Sequence, residues 1–398
     1  MLQGKTVLLG VTGGIAAYKM PNVARMLKKM HCNVHVLMTQ NATNFITATT
    51  FETLTGNKCL IDTFDRNFEF SVEHVALAKQ ADLVLLAPAT ANVIGKIANG
   101  IADDMLTTTV MACTCKVLVA PAMNHNMYHN SIVQENLEKL KRHGYEMIDP
   151  VCGMLANGDT GDGKLPSEET LVEYVLRELA FEKDMQGLKV LVTAGPTQEA
   201  IDPVRFISNH STGKMGYAIA KNAMLRGAEV TLVTGRTALE PPMFVKTVPV
   251  TSAKDMYQAV MECAKEQDII VKAAAVADYT PAHTADEKIK KSEGELSLAL
   301  EKTTDILAEL GKNKGNTVLC GFSMETENMI GNSRVKLTRK NLDMVAANNV
   351  KMAGAGFQGD TNVLTLITQD EEVSLPLMSK EDAAGKILDK ILLERVRR

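Results

Sequence analysis

No C-x-x-C pair occurs in this sequence, although it contains seven cysteines. The cysteines are scattered and odd in number, a pattern more typical of reduced thiols than of a disulfide framework or a zinc site. The chain also has no apolar run near the ~20 residues that a membrane-spanning helix requires. Its first residues, MLQGKTVLLG, lack the charged and apolar regions of a secretory signal. These absences lead us to expect a cytoplasmic protein with no membrane partner.

The sequence has no excess of positive charge either. Its 43 lysines and arginines against 47 aspartates and glutamates give a net charge of -4, so there is no general electrostatic reason to bind nucleic acid. We therefore expect small-molecule substrates. At 398 residues, the chain exceeds the size at which a single hydrophobic core stops growing, which favours two domains.

The first half alternates strongly apolar runs with amphipathic segments. Strands that are apolar along their whole length are buried on both faces, which predicts a doubly wound α/β domain with a parallel sheet between helices. The first predicted helix is Ile15–Met30, and the predicted strands are Lys5–Gly13, Asn33–Thr39, Ala81–Ala89 and Lys116–Met123. Pro150–Ser167 is rich in glycine and without periodicity, so we predict a loop there, followed by a helix over Glu168–Lys183.

A second series of strands and helices begins after the polar break Asp184–Gly187. We set the boundary between a domain of residues 1–186 and a domain of residues 187–398. The predicted strands of the second domain are Leu188–Gly195, Glu229–Gly235, Asp268–Asp278 and Thr317–Met324. Asn362–Thr368 and Val373–Leu377 are predicted to close its sheet as an antiparallel hairpin. The second domain is therefore predicted to be α/β as well.

Both domains begin with a strand, a glycine-containing turn and a helix, an arrangement typical of nucleotide binding. The dinucleotide fingerprint G-x-G-x-x-G is absent from both turns, and no acidic residue ends the second strand of either domain, where Thr39 and Gly235 stand. This argues against an NAD-dependent dehydrogenase. The backbone amides after Gly13 could hold one phosphate of a mononucleotide such as FMN, or the glycines could serve only close packing of strand and helix.

The segment SNHSTGKMG suggests a phosphate cradle because Gly213 and Lys214 open a predicted helix. A P-loop needs glycine five residues before Gly213 and serine or threonine after Lys214. Ser208 and Met215 occupy those positions. The segment is therefore not a P-loop, although a glycine-permitted turn at the start of a helix can still present backbone amides to phosphate.

The motifs GGIAAYK, MTQNATNFI, SVEH, ATANVIGKIANGIADD and APAMN, in this order, resemble those of flavin-dependent cysteine decarboxylases. In the second half, TAGPTQEAIDPVRFISNHSTGKMG, AAAVADY, EKIKK and KLTRKNLD resemble motifs of phosphopantothenate–cysteine ligases. Together they span essentially the entire chain and resemble the bacterial family of bifunctional coenzyme A biosynthesis enzymes. The resemblance implies a flavodoxin-like first domain and a Rossmann-like second domain. It also implies a homo-oligomer, a trimeric unit or multiples of it, with dimerising ligase domains.

The resemblance implies that the first domain decarboxylates phosphopantothenoylcysteine with FMN as cofactor. His74 matches the residue that acts as a base or orients the substrate, although a lone histidine in such a place is often structural or exposed. Met123 and Asn124 match residues that bind the substrate carboxylate. The FMN-binding residues that the resemblance implies are Gly13, Gly14, Ile15, Ala16, Thr39, Thr90, Ala91 and Asn92.

Asn157 departs from the family pattern. The motif is usually L-A-C-G-D, and its cysteine protonates the enethiolate product, whereas this chain reads LANGD. An amide has no titratable proton and cannot replace a thiol as general acid. Cys152 lies five residues earlier and either supplies the proton or is an inert loop thiol. The alternative function is therefore an active ligase joined to a flavin-binding regulatory domain or an impaired decarboxylase.

For the second domain the resemblance implies ligation of cysteine to phosphopantothenate, driven by CTP with Mg²⁺ through an acyl-cytidylate. Asn209 matches the residue that stabilises this intermediate, and Lys288 matches a flap residue that neutralises its charge. Taken alone, Asn209 would be interpreted as a turn former and Lys288 as part of a solvated charge run. No metal ligands are assigned. The CTP-binding residues that the resemblance implies are Gly213, Lys214, Ala273, Ala274, Asp278, Lys288, Asp305, Phe322, Lys336 and Lys340.

Overall fold

A computed structural model describes residues 1–64, 73–154, 158, 160–290, 297–325, 327–349 and 359–397. The chain divides into two units, Met1–Glu182 and Lys183–Arg398. Each unit encloses its own cluster of buried apolar side chains. Among the described residues, none of the helices combines the length and the apolar character needed to cross a membrane. The seven cysteines all lie in the described ranges, and none of them forms a disulfide.

The first unit is built on a parallel sheet of five strands in the order β2-β1-β3-β4-β5. Both β1 and β3 are buried along their whole length, as expected for strands covered on both faces. The order is that of a flavodoxin-like sheet, so the predicted fold class is confirmed. The strands are β1 Thr6–Val11, β2 Asn33–Met38, β3 Leu83–Ala89, β4 Lys116–Pro121 and β5 Glu146–Met147.

Helices cover this sheet, and the first of them differs from the prediction. Sequence analysis predicts one helix over Ile15–Met30, whereas a 3-10 helix, Ile15–Lys19, precedes α1. Pro21 explains the change, because proline has no N–H and is tolerated only in the first turn of an α-helix. A second 3-10 helix is Gln40–Asn44, and the α-helices are α1 Met20–Lys29, α2 Ala48–Thr55, α3 Glu73–Gln80, α4 Ala91–Ala98, α5 Met105–Ala112, α6 His125–Tyr128, α7 Ser131–Arg142 and α8 Glu168–Leu179.

A hairpin replaces the loop predicted over Pro150–Ser167. Its antiparallel strands are β6, Val151–Met154, and β7, Thr160–Lys164. The prediction was wrong because the glycines here allow close packing rather than a turn. Gly163 has a φ of +115°, and a Cβ on it would lie 2.3 Å from the carbonyl oxygen of Met123. The amide of Met123 donates to the carbonyl of Gly163 at 3.0 Å, which attaches β7 to the end of β4.

The second unit has a mixed sheet of eight strands in the order β12-β11-β8-β13-β16-β17-β19-β20. Its first six strands are parallel and follow the Rossmann order, while β19 and β20 form the predicted antiparallel hairpin. The strands of this unit are β8 Lys189–Ala194, β9 Gln198–Ala200, β10 Phe206–Ser208, β11 Glu229–Thr234, β12 Lys246–Pro249, β13 Ile269–Lys272, β14 Tyr279–Pro281, β15 Leu300–Lys302, β16 Val318–Glu325, β17 Met344–Asn349, β18 Thr361–Asn362, β19 Leu364–Ile367, β20 Glu372–Ser374 and β21 Met378–Ser379.

The strand predicted over Asp268–Asp278 is shorter than expected, because β13 ends at Lys272. The residues after it donate hydrogen bonds to Thr193 in β8 and to Thr197 in the turn that follows β8. The amide of Ala274 donates to Thr193 Oγ1 at 3.1 Å, and that of Ala277 donates to Thr197 Oγ1 at 3.0 Å. Asp278 therefore lies beyond a loop and not at the end of a strand. The helices of this unit are α9 Lys214–Leu225, α10 Ala253–Cys263, α11 Ile306–Lys312, α12 Met329–Arg339 and α13 Lys380–Val396, with a 3-10 helix over Ala264–Glu266.

Residues 183–186, which the sequence analysis includes in the first domain, belong to the second unit of the structure. Arg226, whose side chain is largely buried, donates to Asp184 and to Asp389, the latter at 2.9 Å. The amide of Met185 donates to the carbonyl of Arg226 at 3.0 Å. These contacts attach residues 183–186 to the second unit. The activities assigned to either side of the boundary remain predictions.

Two candidate ligand sites where the strand order reverses

The first cavity, of about 1040 Å³, opens at the carboxyl ends of β1 and β3. Strand order reverses between these two strands, and ligands of open α/β sheets bind at such points. The structure brings the residues assigned to a flavin and a substrate carboxylate together in this one cavity. Its lining includes Gly13, Gly14, Ile15, Ala16, Thr39, Thr90, Ala91, Asn92, Met123 and Asn124.

The turn after β1 requires glycine and exposes backbone amides. A Cβ on Gly13 would lie 2.5 Å from Asn41 Cβ, so a side chain cannot be accommodated there. Gly14 has an extended backbone, and the 3-10 helix begins directly after it at Ile15. The first amides of a helix have no acceptor within the helix. The amides of Ile15 and Ala16, both beside the cavity, are therefore suited to a single phosphate group.

Thr12 connects the ends of β1 and β3. Its hydroxyl donates to the carbonyl of Pro88 at 2.6 Å and accepts from the amide of Thr90 at 3.1 Å. This buried link fixes the start of α4, where Thr90 and Asn92 border the cavity. On the β2 side, Thr39 Oγ1 is buried and has no hydrogen-bond partner among the described residues. A buried hydroxyl without a partner is unfavourable, so Thr39 is a candidate to bond a polar group of a ligand.

The opposite wall is formed by residues that follow β4 and by the hairpin β6–β7. Asn124 caps α6, and its side-chain oxygen accepts from the amide of Asn126 at 2.9 Å. The NH₂ group of the same side chain is a hydrogen-bond donor, and it can donate to a carboxylate. Sequence analysis missed Met154, Gly163 and Lys164 as lining residues, because their segment was predicted to be a loop.

Three residues with an assigned or alternative catalytic role do not appear in the described lining of this cavity. His74 is half-buried on the first turn of α3. Cys152 is exposed on β6, although its neighbour in the same strand, Met154, borders the cavity. Asn157 lies outside the described residues. The roles of all three therefore remain predictions.

The second cavity, of about 370 Å³, lies at the carboxyl ends of β8 and β13, where the Rossmann order reverses. It brings together nine residues that are distant in sequence and that the sequence assigned to one nucleotide site. These are Gly213, Lys214, Ala273, Ala274, Asp278, Asp305, Phe322, Lys336 and Lys340.

The N-terminus of α9 forms one side of this cavity. Gly213 precedes the helix with a φ of +77°, and a Cβ on it would lie 2.8 Å from Thr237 Cγ2. Both the dihedral angle and the close contact require glycine. The next three residues also border the cavity, so the first amides of a twelve-residue helix, which have no acceptor within the helix, lie beside it. A helix N-terminus of this kind favours an anion through its amides and its dipole.

Lysine side chains give the second cavity a positive charge. Lys336 Nζ donates to the carbonyl of Phe322 at 2.7 Å, and Lys340 Nζ pairs with Asp305 at 2.7 Å. Burial opposes ionisation of Asp305, but the hydrogen bonds from Lys340 and from the amide of Ala308 lower the pKa of its carboxyl. The described lining contains five lysines against two aspartates, and Lys214 also pairs with Asp360, which lies outside the lining. The excess positive charge is suited to a polyphosphate.

Lys272 is a lining residue that sequence analysis missed. It is the last residue of β13, at the point where strand order reverses. Burial, together with repulsion from Lys336 and Lys340, lowers the pKa of its ammonium group to about 8. The signal in the sequence was a single lysine ending the apolar run DIIVK, which was interpreted as part of the strand. Because this pKa is close to neutral pH, a change in the charges around Lys272 changes the fraction of its side chain that is protonated.

Neither Asn209 nor Lys288 belongs to the described lining, and only Asn209 contacts it. Asn209 Nδ2 donates to the carbonyl of Ala275, a lining residue, at 3.2 Å. Lys288 is exposed. The next residue, Ile289, forms hydrogen bonds through both its amide and its carbonyl. The amide of Ile289 donates to the buried Asp202 at 3.1 Å, and its carbonyl accepts from Arg205 at 2.9 Å. These bonds fix the backbone from which Lys288 extends.

Asp202 and Arg205 form the ion pair on which this attachment depends. Arg205 Nε donates to Asp202 at 3.0 Å, and the amides of Val204 and Arg205 donate to the same carboxyl. The hydrogen bond from the Arg205 guanidinium holds the pKa of Asp202 far below its usual range. The motif AIDPVRF is therefore connected to EKIKK through defined hydrogen bonds.

Comparison with known proteins gives matches over both units. Residues 1–180 match a family described as flavoprotein, and residues 185–394 match the DNA/pantothenate metabolism flavoprotein C-terminal domain. The chain is 46% identical over 395 residues to the coenzyme A biosynthesis bifunctional protein CoaBC of Bacillus subtilis (strain 168), covering 98% of this chain and 97% of the relative. It is 42% identical over 395 residues to that of Escherichia coli (strain K12), with the same coverage. A crystal structure of the C-terminal domain of a CoaBC protein aligns at 42% identity, covering 54% of this chain and 98% of that chain, with a TM-score of 0.47.

Lys272 generates a prediction about proton uptake. Binding of pyrophosphate in the second cavity should raise the pKa of Lys272 from about 8, because a nearby anion favours the ammonium form. Near pH 8 part of the free Lys272 is unprotonated, so we expect a net proton uptake by Lys272 when pyrophosphate binds. Calorimetry in buffers that differ in ionisation enthalpy measures this uptake. Lys272→Met should abolish it, whereas Lys254→Met, at an exposed position on α10, should not. Equal uptake in the Lys272→Met protein would show that another group takes the proton.

Proposed function

The chain belongs to the family of coenzyme A biosynthesis bifunctional proteins, and on this premise we propose that it catalyses two consecutive steps of that biosynthesis. The second unit ligates cysteine to phosphopantothenate at the expense of CTP, and the first unit decarboxylates the product to phosphopantetheine. The observation that carries the proposal is the second cavity, where one helix N-terminus and five lysines meet at the reversal of strand order.

In the ligation step, the phosphopantothenate carboxylate attacks the α-phosphate of CTP and pyrophosphate leaves. The amino group of cysteine then attacks the acyl carbon and CMP leaves. Lys214, Lys336, Lys340 and the first amides of α9 bind the triphosphate, and Mg²⁺ accompanies it as the counter-ion of the nucleotide. Phe322 lies beside the cytosine, and Asp278 is available to a ribose hydroxyl or to the metal. The excess positive charge of the cavity supports this assignment.

Asn209 and Lys288 act on the acyl-cytidylate. Asn209 adjoins the cavity through its contact with Ala275, a lining residue. The amide of Asn209 donates to negative charge that develops at the acyl phosphate and adds no charge of its own. Lys288 supplies a cation from a segment that Asp202 and Arg205 fix through Ile289. A cation whose backbone is held in place loses less entropy when the intermediate forms.

FMN is the cofactor that we propose for the first unit. When bound, FMN supplies a temporary electron sink that makes a redox-neutral decarboxylation possible. One glycine turn with two free amides suits its single phosphate, and the unpartnered Thr39 hydroxyl suits a polar group of the flavin. Asn124, through its NH₂ group, and Met123 hold the substrate carboxylate, and His74 orients the substrate or acts as base.

We also propose that the protein is a homo-oligomer, with a trimeric unit or multiples of it and with dimerising ligase domains. Large apolar side chains surround the first cavity and are exposed in the single chain, with Tyr18 at 59% and Met154 at 71%. Grouped exposed apolar side chains mark interaction surfaces. His74 does not belong to the described lining of the cavity in its own chain, which suits a pocket completed by a neighbouring subunit.

Two substitutions test the ligation mechanism. We expect Lys288→Ala and Asn209→Asp each to slow ligation on the order of a hundredfold, the usual effect of losing one preorganised electrostatic contact. Asn209→Asp also places a negative charge against the acyl phosphate, so the acyl-cytidylate should not accumulate. The measurement is CMP release in the presence of phosphopantothenate, CTP and cysteine. Lys265→Ala, at an exposed position of the same unit, is the control. Both variants should keep their flavin, and near-normal ligation by either one refutes its assigned role.

Asn157 generates a separate prediction about decarboxylation. If a thiol acid is required, the unmodified protein turns over slowly or stalls before protonation of the enethiolate, because an amide cannot donate the proton. Visible flavin absorbance should then bleach during the first turnover with phosphopantothenoylcysteine, and Asn157→Cys should restore a normal rate.

Cys152→Ser is the matched control for Asn157→Cys, since it removes the thiol that lies five residues before Asn157. Loss of the residual turnover in this variant would identify Cys152 as the proton source. Fast phosphopantetheine formation by the unmodified protein, unchanged by Asn157→Cys, would contradict the prediction. A permanent stall of the unmodified protein would favour the alternative of a regulatory or impaired first unit.

A further inference from the structure

Three potential metal ligands meet beside the first cavity, and neither the flavin site nor the decarboxylation mechanism uses them. They are His125, His129 and Asp162, which we name the His–His–Asp cluster. One possible ligand atom from each lies within 4.8 Å of the other two. His125 begins α6 and His129 follows its last residue, so the two imidazoles lie one helical turn apart. Asp162 comes from β7 in the hairpin.

The contacts within the cluster are close. His129 Nε2 and Asp162 Oδ2 are 3.1 Å apart, and the rings of His125 and His129 have centroids 4.5 Å apart. Gly161 brings β7 directly against His125, since a Cβ on it would lie 2.8 Å from His125 Nδ1. The glycine therefore allows the approach that places Asp162 beside both imidazoles.

His125 Nδ1 is the second observation that indicates a ligand. This nitrogen is buried and has no hydrogen-bond partner among the described residues. Buried polar atoms in folded proteins nearly always have a partner, and leaving one unsatisfied is unfavourable. A metal ion held by the cluster would account for the lack of a protein partner, because ligating histidines bind metal through one nitrogen and present the other to a neighbouring acceptor.

The donor set selects the class of metal. Two imidazoles and one carboxylate are ligands of zinc and similar transition metals, whereas Mg²⁺ and Ca²⁺ prefer oxygen ligands. Ligands bound at about 2.0–2.2 Å in a tetrahedron are roughly 3.3–3.6 Å apart. His129 Nε2 and Asp162 Oδ2 are 3.1 Å apart, and all three ligand atoms lie within 4.8 Å of one another, so small side-chain rotations would complete the site. Three protein ligands leave the fourth position to water.

We propose that the His–His–Asp cluster binds one divalent transition-metal ion of the Zn²⁺ class, which fastens the hairpin β6–β7 to α6. The ligands adjoin cavity residues on both sides. Met123 and Asn124 directly precede His125, and Gly163 and Lys164 directly follow Asp162. The ion therefore joins two walls of the first cavity without contacting the substrate. The site is structural, and its ligands are positioning residues for the cavity wall.

Calorimetric titration with ZnCl₂ tests the site in the full-length, flavin-containing protein after removal of metal by chelation. Cys152→Ser should be the background for all proteins, because an exposed thiol can bind zinc by itself. We expect one Zn²⁺ per chain and no comparable binding of Mg²⁺. His125→Ala, His129→Ala and Asp162→Asn should each weaken binding by more than about tenfold. His143→Ala, at the exposed end of α7, should bind as the parent does.

Hydrogen exchange supplies a readout that does not depend on activity. Zn²⁺ should slow exchange of the amides of β7 in the parent and in His143→Ala, and should have no effect in Asp162→Asn. Flavin absorbance and circular dichroism confirm that each variant is folded. Unchanged affinity in the three ligand variants would overturn the proposal and leave an adventitious ion only. Tight binding without slower exchange in β7 would overturn the proposed fastening of the hairpin.

Discussion

The reversal of strand order beside the first strand of each unit is the constraint on which the rest of the structure depends. In the first unit it separates β1 from β3, and in the second it separates β8 from β13. Connections leave such a pair in opposite directions, so a crevice remains at the carboxyl edge. Hydroxyl groups connect the two sides of each crevice, Thr12 to Pro88 and Thr90 in the first unit and Thr193 to Ala274 in the second. These hydrogen bonds hold the strand ends that form both cavities.

The linings of the two cavities differ in their number of lysines and in their apolar side chains, and this difference suits them to different ligands. The second cavity has an excess of lysine and the N-terminus of α9, which suit a polyphosphate that is cleaved during reaction. The described lining of the first cavity has three lysines, Lys19, Lys96 and Lys164, and Lys96 pairs with Asp103 and Asp104. That cavity combines apolar side chains with single polar groups such as Thr39 and Asn124. Such a lining suits a flat, largely apolar cofactor and one carboxylate.

The sequence allowed the buried parallel strands and both glycine turns to be predicted, because a strand covered on both faces must be apolar throughout. It did not allow the hairpin β6–β7 to be predicted. In the sequence alone, Gly161 and Gly163 are typical of a loop. In the structure they permit close contact with His125 and Met123, which lie far from them in sequence. Lys272 was missed for a similar reason, because the pKa of about 8 arises from lysines that only the fold brings near it. Asn209 and Lys288 were found through family resemblance, and their supporting contacts with Ala275, Asp202 and Arg205 are visible only in the structure.

Product analysis tests most directly the claim that one chain performs two consecutive reactions. Purified protein with its bound flavin is incubated with phosphopantothenate, CTP, cysteine and Mg²⁺, and the products are followed by mass spectrometry. We expect phosphopantothenoylcysteine to appear first with an equal amount of CMP, and phosphopantetheine to follow from it at a lower rate. Consumption of phosphopantothenate without CMP, or conversion of CTP without a cysteine adduct, would contradict the claim.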